Sequence, residues 1–278
     1  MINQNVKKIL IKTKKSIFSD IIGNNNSLFK GEGYDFVELR EYEDGEDIKK
    51  IDWIISAKMH KPYVKVFHTQ RELNISIVSI LNGSMHFGTK RFKQDLCSEV
   101  CSLLGFSCVK QGDPFDSYIA NENILLNTKK SKKIFSVYDM VKQIDQYNCL
   151  GKDINFNIIT NELYTKIKKR SIIFLIGDFF DIENLDLRLL SKKHEVIAII
   201  IRDKFEEQPA QLGNVNLIDP SNSQTFNGVL DKSSTNSYIN KVKQNDHKLY
   251  EHFQSCGIKS VKIYTNEDPL PKLLRLMI

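Results

Sequence analysis

The stretch Glu72–Gly88 reads ELNISIVSILNGSMHFG and joins a strand pattern to an abrupt turn. Apolar residues alternate with small polar residues over positions 73–81, which is the two-residue period of a β-strand. The Asn-Gly-Ser sequence at 82–84 then breaks the pattern, and a helical pattern follows. In open α/β sheets, ligands bind at the carboxyl ends of strands. The stretch therefore predicts a strand of an α/β sheet with a candidate site at its end.

Strands and helices alternate along the rest of the chain, and SIIFLI at Ser171–Ile176 is the clearest further strand. This run is apolar without alternation, as in parallel strands that are buried on both faces. Strands separated by helices predict an α/β fold with a doubly wound, mostly parallel sheet. Residues 28–71 lack a long periodic element, but the alternation at Asp35–Arg40 and Tyr63–Phe67 predicts a short strand pair. We therefore expect an N-terminal helix and an irregular, partly β segment in residues 1–71, and the sheet domain in residues 72–278.

The composition favours a globular protein without a membrane-spanning segment. The chain has 278 residues, of which 41% are hydrophobic, enough for a sizeable core. Its longest apolar run, VIAIII at 196–201, is far shorter than the roughly 20 residues that a spanning helix needs. The N-terminal residues do not resemble a signal peptide, and an odd count of five cysteines fits a reducing compartment. We expect a cytoplasmic protein.

The formal net charge is +6, and the lysines concentrate in two runs. Either run could contact phosphates or an anionic membrane surface, or could simply be a solvated helix face. Aromatic residues do not interleave with them as in single-strand binders, so we expect no nucleic-acid partner, whereas peripheral membrane contact stays open. The first run is Lys7, Lys8, Lys12, Lys14 and Lys15, and the second is Lys166, Lys168, Lys169 and Arg170.

The sequence contains no motif that would indicate catalysis. There is no phosphate-binding Gly-x-x-x-x-Gly-Lys loop, no Gly-x-Ser-x-Gly elbow and no paired histidines of a zinc protease. Cys97 and Cys101 share one face of a predicted helix, but no further ligand stands nearby, which favours small buried residues over a metal pair. We expect no enzyme, no catalytic residue and no cofactor. A nuclease or phosphatase is suggested only by basic runs near Asp178.

Two strand ends carry the polar residues of a candidate site. Asn82 and Ser84 follow the opening strand, and Asp178 follows the strand at Ser171–Ile176. Because parallel strands bring their carboxyl ends to one edge, Asp178 with the Ser84 hydroxyl would form half of a magnesium site. Alternatively, Asp178 could be the N-cap of a following helix, the commoner role of an aspartate after a strand.

One segment is specific to a known family. The segment from Gly31 resembles the signature of the domain of unknown function 58 family, which has the pattern Gly-x-Gly-x-x-Phe, Arg-x-Tyr-x-x-Gly-(Asp/Glu)-Asp, Arg-x-Ile-Asp-Trp and Ala-Arg. Two arginines of the pattern are lysines here, at Lys50 and Lys58, which puts bidentate pairing at those positions in doubt. The matching residues are Gly31, Gly33, Phe36, Arg40, Tyr42, Gly45, Glu46, Asp47, Ile51, Asp52, Trp53 and Ala57.

The resemblance implies a von Willebrand factor A-like domain for residues 72–278. It also implies a partnership with a MoxR-type AAA+ ATPase, and with other von Willebrand A proteins, in protein assembly, maturation or stress tolerance. No enzymatic activity is implied. The function expected from the resemblance is therefore that of a non-enzymatic adaptor.

The resemblance further implies a magnesium site of the metal-ion-dependent adhesion type, built on Asp-x-Ser-x-Ser, a threonine and a later aspartate. In this chain Ile80 replaces the first aspartate and Asn82 the first serine, whereas Ser84 and Asp178 match; residues 151–155 lack the threonine. A unit charge about 4 Å from a dication contributes roughly 8 kcal/mol at an effective dielectric near 20. We therefore expect a degenerate site that has lost its metal, with a metal-dependent binding module as the alternative.

Five residues of the signature have two interpretations, namely Arg40, Tyr42, Asp47, Asp52 and Trp53. In the structural interpretation, Trp53 is a core anchor, Arg40 and Asp52 form a buried ion pair, and Gly45 supplies a turn. In the other, the segment is a partner-docking surface. The sequence favours the structural interpretation without excluding the second.

Overall fold

The computed structural model describes residues 4–18, 36–43, 45, 46, 48, 51–67, 73–210, 213–221 and 224–277. Its elements, in chain order, are α1 (Gln4–Phe18), β1 (Phe36–Glu41), α2 (Trp53–Met59), β2 (Tyr63–Phe67), β3 (Ile75–Ile80), a 3-10 turn (Gly83–His86), α3 (Lys93–Gln111), β4 (Phe115–Ala120), β5 (Ile124–Ser131), α4 (Ile134–Gln146), α5 (Phe156–Lys166), β6 (Ile172–Gly177), α6 (Arg188–Lys193), β7 (Glu195–Arg202), α7 (Lys204–Glu207), β8 (Gly213–Ile218), β9 (Thr225–Leu230), α8 (Lys232–Ser255), β10 (Lys259–Tyr264) and α9 (Pro269–Met277).

The main sheet has six strands in the order β10-β7-β6-β3-β4-β5. All neighbours run parallel except β5, which pairs antiparallel with β4 and closes one edge. The predicted mostly parallel α/β sheet is therefore confirmed. The strand order reverses between β3 and β6, and such a reversal places a crevice at the carboxyl ends of the two strands.

Apolar side chains on both faces of the sheet pack under helices. Because side chains alternate along a strand, Phe174 and Ile176 of β6 lie in one apolar cluster with residues of α1, α3, α4 and α9. Ile173 and Leu175 lie in the other cluster, with residues of α5, α6 and α8. The helices thus cover both faces, which confirms that the sheet is doubly wound.

Helix α1 belongs to the unit that contains the sheet. Val6, Leu10 and Ile17 are buried in the cluster that includes α3, and Thr13 Oγ1 lies 2.6 Å from Ser102 Oγ on that helix. The contacts accordingly place α1 with residues 73–278, while residues 30–72 make a second unit.

The second unit contains β1, α2 and β2. The strands pair antiparallel with Arg40 opposite Val64, as the alternation predicts. The Asp52 carboxylate accepts hydrogen bonds from the Ile54 and Ile55 amides and caps α2, which begins at Trp53.

The sequence analysis missed two strands, β5 and β9. Strand β5 reads ILLNTKKS and has no steady alternation. It is an edge strand in which Asn127 and Thr128 are buried, whereas the exposed residues are Leu125, Leu126, Lys129 and Lys130. Strand β9 pairs with β8 in a separate two-stranded sheet. Within the described residues, no helix has the length and apolar character needed to cross a membrane.

The burial of α1 gives a testable expectation about stability. Leu10→Ala should lower the free energy of unfolding by about 2–4 kcal/mol, because it opens a cavity against α3. Ile11→Ala is the matched control: Ile11 is 60% exposed, and its truncation should cost less than about 0.5 kcal/mol. Urea denaturation followed by circular dichroism measures both. Equal, small effects would mean that α1 does not pack as described.

Candidate functional site

Asn82, Ser84 and Asp178, the three predicted metal ligands, meet at the reversal point of the sheet. The Ser84 hydroxyl lies 2.9 Å from Asn82 Oδ1 and hydrogen bonds to the Asp178 carboxylate. The turn that presents Ser84 requires glycine at 83, since a Cβ there would lie 2.3 Å from the Pro220 carbonyl oxygen. The predicted convergence of the two strand ends is confirmed.

Asp178 does not cap a helix. The next helix, α6, begins ten residues later with Leu187 as its N-cap, so the capping interpretation is wrong. Instead the Asp178 side chain is fully buried and accepts hydrogen bonds from Ser84 and from a lysine. A buried carboxylate needs such partners because desolvation of a lone charge is strongly unfavourable.

The lysine is Lys93, the first residue of α3, and its side chain is fully buried. Its Nζ lies 2.9 Å from Asp178 Oδ2 and 2.7 Å from Glu206 Oε1 on α7. The same ammonium lies 5.2 Å from the centre of the Phe180 ring. A cation of the chain itself therefore stands between two carboxylates at the end of the sheet.

The pKa shifts distinguish the two carboxylates. Burial by itself would raise the pKa of Asp178, but the charge of Lys93 and the Ser84 hydrogen bond outweigh it, so the pKa lies below its ordinary value. Burial raises the pKa of Glu206, and the nearby charge of Lys93 only partly opposes the increase. Asp178 is thus the ionised partner of Lys93, and Glu206 is the carboxylate that protonates more readily.

Arg202, at the end of β7, holds the loop that carries Asp178. Its Nε donates to the Asp178 carbonyl oxygen at 2.5 Å, and its Nη2 donates to the Phe179 carbonyl at 3.1 Å and to Asp246 at 3.0 Å. Phe179 has a φ of +52°, a conformation that costs energy for a residue with a side chain. The guanidinium also lies 3.5 Å from the centre of the Phe180 ring. These contacts hold the Asp178 carboxylate in place.

The residues at this edge do not fit a magnesium ion. Magnesium requires several oxygen ligands in octahedral geometry, but Ile80 is buried in an apolar cluster where the missing aspartate would stand. Asp178 Oδ2 already binds both the Lys93 ammonium and the Ser84 hydroxyl. Among the described residues, no group of three His, Cys, Asp or Glu side chains could hold a metal. Cys97 and Cys101 are buried, which agrees with their prediction as small buried residues of a helix.

The signature residues pair differently from the prediction. Arg40 forms two hydrogen bonds to the Glu46 carboxylate, and the Tyr42 hydroxyl donates to the Glu46 carbonyl at 3.1 Å. Asp52 caps α2, and the Arg40 side chain is 36% exposed, so the predicted buried Arg40–Asp52 pair is wrong. Gly45 has a φ of +104° and supplies a turn, as predicted. Asp47 lies outside the described residues.

Trp53 is not a core anchor. Its side chain is 65% exposed, and that of Ile54 is 73% exposed, whereas Ser56 is the buried residue of α2. The sequence suggested burial because tryptophan is large and apolar, but α2 is only two turns long and turns Ser56 inward, where its hydroxyl accepts a hydrogen bond from the Tyr63 amide. The docking interpretation of this segment remains a prediction.

The sequence analysis missed Lys93 and Glu206. One signal was present for Lys93. It falls in the first turn of a helix, where the positive end of the helix dipole disfavours a cation. A lysine in that position needs compensating carboxylates, and the two partners come from segments 85 and 113 residues away.

Comparison with known proteins gives one family and several relatives of unknown function. A family model described as "Protein of unknown function DUF58" matches residues 38–248. Uncharacterised proteins of Mycobacterium bovis and Mycobacterium tuberculosis are 21% identical over 277 residues, covering 98% of this chain and 87% of each relative. The matched range includes the signature residues from Arg40 to Ala57, as well as Lys93, Asp178 and Glu206.

Two solved structures are also similar to this chain. A conserved hypothetical protein, BatB from Bacteroides thetaiotaomicron, aligns with a TM-score of 0.46 and 12% identity, covering 74% of this chain and 97% of that chain. An aerotolerance-related membrane protein from Bacteroides fragilis aligns with a TM-score of 0.37 and 11% identity, covering 66% of this chain and 98% of that chain.

The Lys93–Asp178 pair gives a prediction about stability. Lys93→Met keeps the length of the side chain but leaves the Asp178 charge buried without its cation, which should cost about 3–5 kcal/mol of unfolding free energy. Adding Asp178→Asn should restore part of the loss, because the uncompensated charge is removed. Chemical denaturation of wild type, both single variants and the double variant completes the cycle. Additive effects would contradict a direct pair.

Proposed function

This chain belongs to the DUF58 family, and from that premise we propose that it is a non-enzymatic, cytoplasmic adaptor that binds other proteins. The partner we propose is a MoxR-type AAA+ ATPase, with other von Willebrand A proteins as further partners. The process we propose is assembly, maturation or stress tolerance of other proteins.

The observation that carries this proposal is the ammonium of Lys93 between Asp178 and Glu206. At a reversal point that served metal or substrate chemistry, the carboxylates would be open to a ligand. Here the Asp178 charge is neutralised by the chain itself and both side chains of the pair are fully buried. This arrangement supports a structural role for the edge of the sheet. The recognition of partner proteins is then left to other surfaces of the molecule.

The signature unit offers such a surface. Trp53 and Ile54 stand side by side at the start of α2, both mostly exposed, and Met59 at its other end is 55% exposed. Exposed tryptophan is typical of the residues that dominate protein interfaces. We propose that Trp53 and Ile54, which we call the α2 patch, contact the ATPase.

We also propose the finer fold assignment, a von Willebrand factor A-like domain in residues 72–278. The reversal of strand order between β3 and β6 supports it, together with helices on both faces. Further support is the position of Ser84 and Asp178 at that reversal, where the resemblance places metal ligands.

A second candidate function is a metal-dependent binding module. The convergence of Asn82, Ser84 and Asp178 favours it, but a metal would have to displace Lys93 from the Asp178 carboxylate. Because that displacement leaves a buried ammonium with only Glu206 as its ion-pair partner, we rank this function below the adaptor.

The adaptor proposal predicts co-purification with an AAA+ ATPase. When the tagged chain is isolated from cells that express it natively, mass spectrometry should identify a MoxR-type ATPase. Trp53→Ala with Ile54→Ala should reduce its recovery at least about tenfold, as loss of an interface hot spot does.

Leu189→Ala is the matched control, since Leu189 is an exposed apolar residue, 57% accessible, in the other unit. It should leave recovery unchanged. Repeated isolation without any AAA+ ATPase would refute the partnership, and equal recovery by the Trp53/Ile54 variant would refute the role of the α2 patch.

The metal alternative has a separate test. Titration calorimetry with magnesium or manganese should give no binding heat for wild type, because Lys93 holds the Asp178 carboxylate. Lys93→Ala should gain weak binding, since it leaves two carboxylates, Ser84 and Asn82 around a cation-sized space. Asp178→Ala should not bind. A wild-type heat that disappears in Asp178→Ala would favour the metal-dependent module instead.

A further inference from the structure

One face of the sheet-containing unit combines lysines with exposed apolar side chains. Along α1, Lys7, Ile11 and Lys14 are spaced i, i+4, i+7 and form one stripe. The flank of α4 lies beside this stripe, with Lys14 Nζ 3.5 Å from the Tyr138 hydroxyl. A cavity of about 270 Å³ separates the helices and is lined by Lys7, Leu10, Ile11, Lys14 and Tyr138. We call this surface, together with Phe135, the α1–α4 face.

The apolar residues of this face point into solvent. Phe135 is 70% exposed and Ile11 is 60% exposed, although α1 buries Val6, Leu10 and Ile17 in the core. The Phe135 ring centre lies 6.2 Å from that of Tyr138, so the two aromatic side chains are neighbours. Ile11 thus lines the cavity, and Phe135 stands next to Tyr138, which lines it as well.

The charges around these side chains have nearly one sign. Helix α1 contains five lysines and no acidic residue. Lys132 and Lys133 are exposed just before α4, and Asp139 is the acidic residue on the exposed side of that helix. The polar side chains of the α1–α4 face are therefore mainly hydrogen-bond donors. Such donors complement a surface made of anionic acceptors.

From this geometry we propose that the α1–α4 face docks on the surface of an anionic phospholipid bilayer. The lysines contact headgroup phosphates, and Ile11 and Phe135 insert into the interfacial region. The phosphates of an anionic bilayer form a dense layer of acceptors, which complements the lysines of this face. A peptide would bring its own amide donors, and Asp139 is the one carboxylate offered to them by the exposed residues of α4 and α1.

The interaction is reversible and depends on salt. Each lysine near an anionic surface raises binding about fivefold, and the effect decays within a Debye length of about 10 Å at 0.1 M salt. Several lysines with two inserted side chains therefore give peripheral attachment. The second basic run, at 166–170, does not contain a pair of exposed apolar residues such as Ile11 and Phe135. It therefore serves as a comparison for the effect of positive charge alone.

The experiment is sedimentation of the full chain with vesicles. Wild type should sediment with phosphatidylglycerol–phosphatidylcholine vesicles at low salt, should remain in solution with phosphatidylcholine alone, and should be released by added salt. Lys7→Glu with Lys14→Glu should reduce partitioning at least about thirtyfold. Phe135→Ser should weaken binding while leaving the dependence on salt unchanged.

Lys168→Glu with Lys169→Glu is the matched control, because it lowers the net charge by the same four units at other exposed positions. It should retain most of the binding. Three outcomes would each overturn the proposal. They are equal binding of wild type to neutral vesicles, no binding of wild type to anionic vesicles, and an equal loss of binding in the control pair. Circular dichroism checks that the exposed substitutions leave the fold intact, and the salt release of wild type provides a test that needs no variant. Binding to poly-glutamate without binding to vesicles would assign the face to an acidic protein.

Discussion

The carboxylate of Asp178 lies at the reversal point of the sheet, and its side chain is excluded from solvent. An ionised group in such a place needs a compensating charge, since the effective desolvation penalty is several kcal/mol for each ion. Two solutions are available to a chain with this topology, a bound cation or a side-chain cation. This chain uses Lys93. The use of Lys93 affects each element that approaches this edge of the sheet.

The ion pair connects elements that are distant along the chain. Lys93 is the first residue of α3, Asp178 follows β6, and Glu206 lies in α7 after β7. Arg202 adds hydrogen bonds to two backbone carbonyls of the Asp178 loop and stabilises the unusual conformation of Phe179. An ammonium fixed by two carboxylates from separate segments sets the start of α3 relative to the sheet. A bound metal would do this only while occupied, whereas a lysine does it permanently.

The same interaction explains which features could be predicted from the sequence. The buried strands were predictable because apolar runs and alternation are local patterns, and the meeting of Ser84 with Asp178 followed from parallel strands alone. The Lys93 pairing was not predictable, because its partners, one in the loop after β6 and one in α7, approach each other only through the whole fold. The exposure of Trp53 was missed for a different reason. Helix α2 is short, and its inward side chain is Ser56, whose hydroxyl hydrogen bonds to the Tyr63 backbone, so the hydrophobicity of Trp53 does not decide which face is buried.

When the charge of a site is neutralised by the chain itself, partners must be recognised by other surfaces of the protein. When a metal occupies the end of a sheet, a ligand can complete its coordination, and the binding energy comes from one strong bond. With Lys93 in that place, the donors of the ammonium are directed to Asp178 and Glu206 inside the protein. Affinity must then come from burial of exposed apolar area and from long-range charge, which act over larger surfaces. The chain presents both, as Trp53 with Ile54 in one unit and as the α1–α4 face in the other. The neutralised edge and these exposed surfaces therefore agree with the proposed adaptor, in which the sheet would supply rigidity and the periphery would supply contact.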